Sequence, residues 1–325
     1  MARAHHLSTW TLAALGVAAL AAGCAAMEGG AGETAERPSP GCAPGRAVAA
    51  GTAEFVITSG GEERRYLIHA PRSYTGEEAV PLVLDLQMSG GSPERELAVT
   101  GFDQAAEGFG FLLVAPAAVR TRPGGATTWN VPHDPAWPDD VAFVDDLLDT
   151  LVAEVCIDKA RIYATGFSGG ARFASELACL RPERFAAIAV VGGLRHPMGA
   201  EGRCPGVDDP VSILALHGVP DPVNAYTVEG APASPYWTYG AEEALARWAA
   251  QMECGASRTE AVAPDAQRTM YVDCRGGADL VFYRLENAGH VWPGSAFAFS
   301  EAAGPAEPDV DATAIAAAFF AARGE

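Results

Sequence analysis

A single serine in the chain is set for nucleophilic chemistry: Gly166-Phe167-Ser168-Gly169-Gly170 matches G-x-S-x-G. Its setting gives the pattern meaning. It directly follows the strand-like run Arg161 to Thr165 and precedes a helix-like segment from Ala171, a strand-turn-helix context that holds a serine on a sharp turn with its hydroxyl presented. The glycines have a steric role, because a side chain at Gly166 or Gly170 would collide with the neighbouring strand or helix. A serine hydroxyl is a weak nucleophile at neutral pH and needs a base to take its proton. Of the seven histidines, His5 and His6 lie in the N-terminal leader, His69 falls inside an early strand, and His133 and His196 sit in Pro-containing loops. His217 and His290 remain, each just past the C-terminal end of an expected strand, the edge where a parallel sheet also presents such a serine.

Chain order separates the two. In a strand-turn-helix serine site of this kind the members follow the order Ser, acid, His, and Ser168, Asp221 and His290 satisfy it. The only aspartates between the serine and His217 are Asp208 and Asp209, and these precede the strand and belong at its opposite end. His290 is therefore expected as the base and His217 as a buttress of its loop. Asp221 would hold the other imidazole nitrogen and stabilise the imidazolium, although an aspartate between Pro220 and Pro222 also suits a turn for local reasons. An acyl-transfer intermediate places negative charge on the carbonyl oxygen and needs N–H donors aimed at it. The expected donors are the backbone amide of Gly169 and one from Gln87-Met88-Ser89-Gly90-Gly91, with Ser89 first and Met88 second. This chemistry calls for no cofactor and no metal, and no cysteine pair has zinc-ligand spacing.

The elements that must position these residues alternate along the chain. Glu54 to Ile57 and Arg65 to His69 read as an opening hairpin around Ser59-Gly60-Gly61. Strands follow at Pro81 to Leu86, Phe111 to Ala115, Arg161 to Thr165, Ala186 to Val191, Val211 to Leu216 and Leu280 to Arg284. Helices are expected at Phe102 to Glu107, Val141 to Val155 (apolar at Val141, Val144, Leu147, Leu148 and Leu151), Ala171 to Leu180, Ala241 to Gln251 and Thr313 to Ala322. Asp139 or Asp140 would cap the second of these. Near-continuous apolar strands separated by helices imply an α/β fold with a mainly parallel sheet covered on both faces.

Composition bounds the partners. The chain has 325 residues and a net charge of −19, with Lys159 its one lysine, so a nucleic acid would meet net repulsion. Residues 1–23 read as an export signal: Arg3, an apolar run from Trp10 to Ala22 too short to span a bilayer, then Ala21-Ala22-Gly23-Cys24. Small residues before Cys24 resemble a bacterial lipobox, which would make Cys24 a lipidated N-terminus and give a membrane tether; an ordinary secretory signal is the alternative. Residues 24–45 read as a flexible tether and 46–325 as one catalytic domain. Setting Cys24 aside leaves an even set, Cys42, Cys156, Cys179, Cys204, Cys254 and Cys274, which fits an oxidising compartment outside the cytoplasm. Only Cys254 and Cys274 are suggested as partners by their locality.

These residues together resemble the secreted polyhydroxybutyrate depolymerases and feruloyl or acetylxylan esterases, related to esterase-type lipoproteins. The resemblance rests on Arg65 to Pro71, Trp129-Asn130, Asp139 to Val144, Arg161 to Gly170, His217 to Val223 and Gly289 to Gly294. It implies an α/β-hydrolase fold, a triad of Ser168, Asp221 and His290 acting on a small or oligomeric ester, and a Cys254–Cys274 disulfide. One departure stands out: where that family has His-Gly after the strand, this chain has Gln87-Met88. A backbone donor would survive the change, while loss of the glycine would shift the loop and narrow the acyl site. The departure also motivates a rival reading, a catalytically degenerate lipoprotein that binds glycans or partners. Trp129, Trp137, Tyr236, Trp237, Tyr239 and Trp292 are expected to line an aromatic cleft, with Trp129 and Trp292 as substrate contacts.

Overall fold

Apolar runs buried on both faces form the centre of one ten-stranded sheet. The computed structural model describes residues 38–42, 48–121, 125–197, 204, 210–229 and 236–323. The chain opens with the antiparallel hairpin β1 (Gly51–Ser59) and β2 (Glu62–Ala70), followed by β3 (Val80–Leu86), α1 (Pro93–Thr100), α2 (Phe102–Phe109) and β4 (Leu112–Pro116). A two-stranded ribbon, β5 (Arg120–Thr121) and β6 (Thr127–Thr128), leads to α3 (Asp140–Glu154), β7 (Ile157–Phe167), α4 (Gly169–Leu180), β8 (Ala187–Val191) and β9 (Ser212–Gly218). Then come α5 (Ala241–Gln251), the hairpin β10 (Ser257–Ala263) and β11 (Ala266–Tyr271), β12 (Leu280–Leu285) and α6 (Ala312–Ala321).

Strand order is β1-β2-β4-β3-β7-β8-β9-β12-β11-β10. The centre, from β4 to β12, is parallel, and antiparallel pairs flank it on either side. Alternate residues of the central strands feed two cores. Leu82, Leu84, Ile162, Ala164, Ile188 and Ile213 pack with Leu147, Phe173, Leu177 and Trp248 of α3, α4 and α5. Val83, Tyr163, Ala189 and Leu214 pack on the opposite face with Leu97, Phe102, Ala316 and Phe320 of α1, α2 and α6. Because each central strand is covered twice, it reads as a continuous apolar run, and each buried Leu or Ile contributes about 1.5–3 kcal/mol.

The β5–β6 ribbon was not expected, and two larger pieces also departed from expectation. Helix α1 begins at Pro93, is capped by Ser92, whose Oγ accepts the Arg95 N–H at 3.3 Å, and ends at the left-handed Gly101. Its eight residues include three charges, too little apolar periodicity to announce a helix. The hairpin of β10 and β11 extends the sheet edge and is largely solvated, so it lacks the apolar signature of the central strands. By contrast, the cap of α3 is settled on Asp139, whose carboxylate accepts from Val141 and Ala142.

The tether assigned to residues 24–45 is corrected at its distal end. Pro38 bridges to Asp158, the Ser39 N–H donates to Ile157 O at 2.9 Å, the Ser39 hydroxyl donates to Val155 O at 2.6 Å, and Cys42 is disulfide-bonded to Cys156. Residues 38–42 therefore belong to the folded body, because these bonds join them to the turn between α3 and β7. The export signal (1–23), Cys24 and the rest of the tether lie outside the described residues. Cys254–Cys274 forms as the resemblance implied, and Cys179–Cys204 completes the set. Three disulfides mark an oxidising, extracytoplasmic compartment.

Cys42–Cys156 spans 114 positions, so it removes the most chain entropy from the unfolded state. Replacing both cysteines by serine is expected to cost about 3–5 kcal/mol. Urea unfolding of the pair variant against the parent checks this; an unchanged midpoint and slope would contradict it.

Candidate active site

β7, β9 and β12 run parallel and end on one edge of the sheet, with Gly218 opposite Leu285 in the last rung between β9 and β12. The loops leaving these ends carry Ser168, Asp221 and His290. Ser168 occupies a strained left-handed conformation (φ 55°, ψ −107°), with its N–H donating to Val191 O at 3.0 Å. The turn closes this tightly because Gly170 has no side chain: a Cβ there would lie 1.7 Å from Leu86 O, and one on Gly166 would lie 2.7 Å from the same atom.

His290 Nε2 is 2.8 Å from Ser168 Oγ, and its Nδ1 is 2.7 Å from Asp221 Oδ2. A carboxylate only accepts, so it places the ring proton on Nδ1 and leaves Nε2 to receive the serine proton. Asp221 Oδ1 accepts the N–H groups of Val223 and Asn224, both at 2.8 Å, which sets the carboxylate's orientation. The imidazole lies against the Phe167 ring at 4.7 Å, and the His290 N–H donates to Ala303 O at 2.6 Å. Ser168 and His290 each keep 8% of their surface accessible, so the reacting atoms sit at the floor of the edge and are not sealed in the core.

His217 stands where a buttress was expected. Its Nε2 donates to Asn224 O at 2.7 Å, its ring stacks on Trp237, and Asp221 Oδ2 is 3.6 Å away. Burial drives its pKa down, outweighing the opposite pull of Asp221, so it braces the acid loop as a neutral group. Asn224 had no signal in the sequence. Its side chain accepts from Arg172 Nη1 at 3.0 Å and donates to Gly192 O at 2.6 Å, tying the acid loop to α4 and to the end of β8.

The two oxyanion donors are distinguished by what already occupies their neighbours. The Met88 N–H donates to Glu96 Oε2 at 2.7 Å and is taken. The Ser89 amide, by contrast, lies 2.7 Å from where a Cβ on Gly169 would stand, and neither Ser89 N–H nor Gly169 N–H meets a protein acceptor among the described residues. Two free amides side by side at the N-terminus of α4 form a site for developing negative charge. Gln87 is buried and braces this loop, donating from Nε2 to Gly91 O at 3.0 Å and to Thr127 Oγ1 at 3.2 Å, and accepting at Oε1 from Ala118 N at 3.2 Å.

The aromatic cleft is corrected. Trp129 is 1% exposed, stacked on Phe173, and its indole N–H donates to Gln87 O at 2.8 Å. Trp292 is 2% exposed, packed edge-on to Phe102 and Phe167, with its N–H on Thr313 Oγ1 at 2.9 Å. Both are core residues and cannot touch a substrate, since large rings with a satisfied N–H are stabilised most by full burial. Trp237 and Tyr239 are buried as well. Trp137 and Tyr236 stay half-buried, both beside the Arg120 guanidinium.

Beneath the site lie two buried carboxylates that sequence reasoning missed, since one of them belongs to the unrecognised α1. Burial, then the charge of Asp85, pushes Glu96 well above the ordinary range, against the N–H bonds from Met88 and Phe167. Asp85 Oδ2 accepts from Thr100 at 2.6 Å, and its Oδ1 has no partner. Burial outweighs that hydrogen bond and, with Asp103 nearby, pushes Asp85 up to about 7.

A mainly parallel sheet bearing a serine on a strand-turn-helix elbow, with an acid and a histidine on later strand ends, defines the α/β-hydrolase class. The acetyl xylan esterase from Aspergillus awamori shares the fold at a TM-score of 0.52 and 15% identity, over 74% of this chain and 94% of that one. "Putative esterase NocK" of Nocardia uniformis subsp. tsuyamanensis is 30% identical over 273 residues, 77% of this chain and 76% of that protein. "Probable feruloyl esterase C" of Aspergillus niger is 28% identical over 191 residues, 57% of this chain, and the match spans 63% of that protein's length. No family model matches the chain. The chain belongs to the same esterase family as NocK, within the α/β-hydrolases.

Asp85 has a stability consequence with a definite sign. Between about pH 4, where the unfolded carboxyl ionises, and about 7, the native state binds more protons than the unfolded one, so stability falls as pH rises through that window. Asp85→Asn removes this contribution. The melting temperature of the variant minus that of the parent is expected to increase from pH 4 to 7 and then level off; a difference independent of pH would contradict the assignment.

Proposed function

We propose that the protein is a serine carboxylic ester hydrolase working outside the cytoplasm on small or oligomeric feruloyl or acetyl esters. The observation that carries this reading is the unbroken relay from Asp221 through His290 to Ser168 beside two unengaged amides. Ser168 Oγ attacks the ester carbonyl as its proton passes to His290 Nε2, and Asp221 stabilises the imidazolium. The carbonyl oxygen, now an anion, is held by the N–H groups of Gly169 and Ser89. Collapse breaks the C–O bond, and His290 returns the proton to the departing alcohol. Water, deprotonated by the same imidazole, then attacks the acyl-serine and releases the acid. The Gln87-Met88 departure is compatible with this route, because the donors are backbone groups. The acidic surface disfavours nucleic acid as a partner. Attachment to a membrane is proposed to occur through lipid on Cys24.

A fluorophosphonate probe is expected to label Ser168 in the folded protein, and no adduct would favour a binding role in place of catalysis. On p-nitrophenyl acetate, Ser168→Ala and His290→Ala should each lower kcat by at least about 10⁴-fold, and Asp221→Asn by about 10³- to 10⁴-fold, since the triad acts as a unit. Either of the first two retaining substantial turnover would sink the assignment. For the anchor, Cys24→Ala should move the mature protein from the detergent phase to the aqueous phase in Triton X-114 partitioning; a parent already in the aqueous phase would argue for free secretion.

A further inference from the structure

We propose that Glu96 is a positioning residue whose carboxylate sets the separation of the two oxyanion donors, an inference that rests on the esterase reading above. The two halves of the oxyanion site belong to different loops. One donor, Ser89, follows β3, and the other, Gly169, follows β7. The ladder between these strands ends with Leu86 opposite Gly166, and past that rung the loops turn to separate neighbours: Ser89 Oγ pairs with Thr128 Oγ1 at 2.8 Å, while Ser168 N–H goes to Val191 O. Glu96 reaches up from α1 between them. Its Oε2 accepts the Met88 N–H at 2.7 Å and its Oε1 accepts the Phe167 N–H at 3.0 Å.

Met88 immediately precedes Ser89, and Phe167 immediately precedes the nucleophile. One planar group of fixed width therefore clamps both loops a residue or two from the atoms that must converge on a single oxygen. A carboxyl group suits this, since it carries two oxygens at a fixed separation and each accepts one of the amides. The placement is costly: Glu96 is fully buried, none of the described arginines or lysines hydrogen-bonds to it, and the charge of Asp85 opposes its own more than Arg95 relieves it. The geometry assigns the cost to holding an acyl-transfer site, where an ångström of misplacement is enough to slow the chemistry.

The test compares Glu96→Gln, which replaces one acceptor oxygen with an NH2 group, with Asp85→Asn, an equally buried isosteric change that touches neither loop. On p-nitrophenyl acetate Glu96→Gln is expected to lose on the order of 10- to 100-fold in kcat with KM within about twofold, because the donors act on the transition state. Its affinity for an aryl trifluoromethyl ketone, which forms a tetrahedral adduct with the serine, should fall by a similar factor. Asp85→Asn should stay within about threefold of the parent in both. A folded Glu96→Gln with parental kcat, or equal losses in the two variants, would overturn the proposal. Hydrogen exchange on the parent supplies a readout that needs no variant to fold: the Met88 and Phe167 amides should both be protected, and rapid exchange at Met88 would count against the clamp. An unlabelled Ser168 in the parent protein would instead indict the esterase reading and leave the two amide bonds to be judged by exchange alone.

Discussion

Proton transfer from a serine to an imidazole works only over hydrogen-bond distance, and the whole architecture is arranged to meet that constraint. Ser168 and His290 are 122 positions apart and His290 and Asp221 are 69 apart, yet both contacts are below 3 Å. No local segment brings such residues together. Parallel strands do, because β7, β9 and β12 all terminate at one edge and each releases a short loop there. The two cores on either face of the sheet supply the rigidity that keeps those strand ends in register.

Around this relay the loops are held by polar ties that work at different depths. The acid loop is fixed by the two amides on Asp221, by His217 from below and by Asn224 from the side. The oxyanion loop is fixed by Gln87 on one side and by Glu96 on the other. Glu96, and Asp85 apart from these ties, are in environments that oppose their charge, so part of the folding free energy provided by the apolar cores is offset beneath the site. The disulfides act elsewhere. Cys42–Cys156 fastens the N-terminal segment to the far end of β7, and Cys254–Cys274 closes the junction between α5 and the outer hairpin.

The family relationship and the local geometry bear on different questions. Relatedness at 30% identity assigns the fold lineage. Arrangement of this chain's own atoms says which amides are free, which histidine is spent on structure, and which tryptophans are unavailable to a ligand. His217 is the instructive case: it lies within 4 Å of the same carboxylate as His290, but its Nε2 is committed to Asn224 O and it is wholly enclosed, so proximity alone does not make a base.

What the linear sequence determined by itself was whatever depends on short-range pattern. Apolar runs such as Leu82 to Leu86 and Ile213 to Leu216 marked the doubly covered strands, Gly166 to Gly170 marked the elbow, and chain order picked Asp221 and His290. Pattern failed where burial is decided by distant neighbours. Trp129 and Trp292 read as ligand contacts, because a ring's sequence position does not reveal that Phe173 or Phe102 will cover it. Pro38 to Cys42 read as tether because nothing local foretells a disulfide across 114 positions. Glu96 was invisible for the same reason: a charged residue on a short polar helix looks solvated, and only packing of α1 over β3 and β7 turns its carboxyl group inward, where its two oxygens accept the N–H groups of Met88 and Phe167.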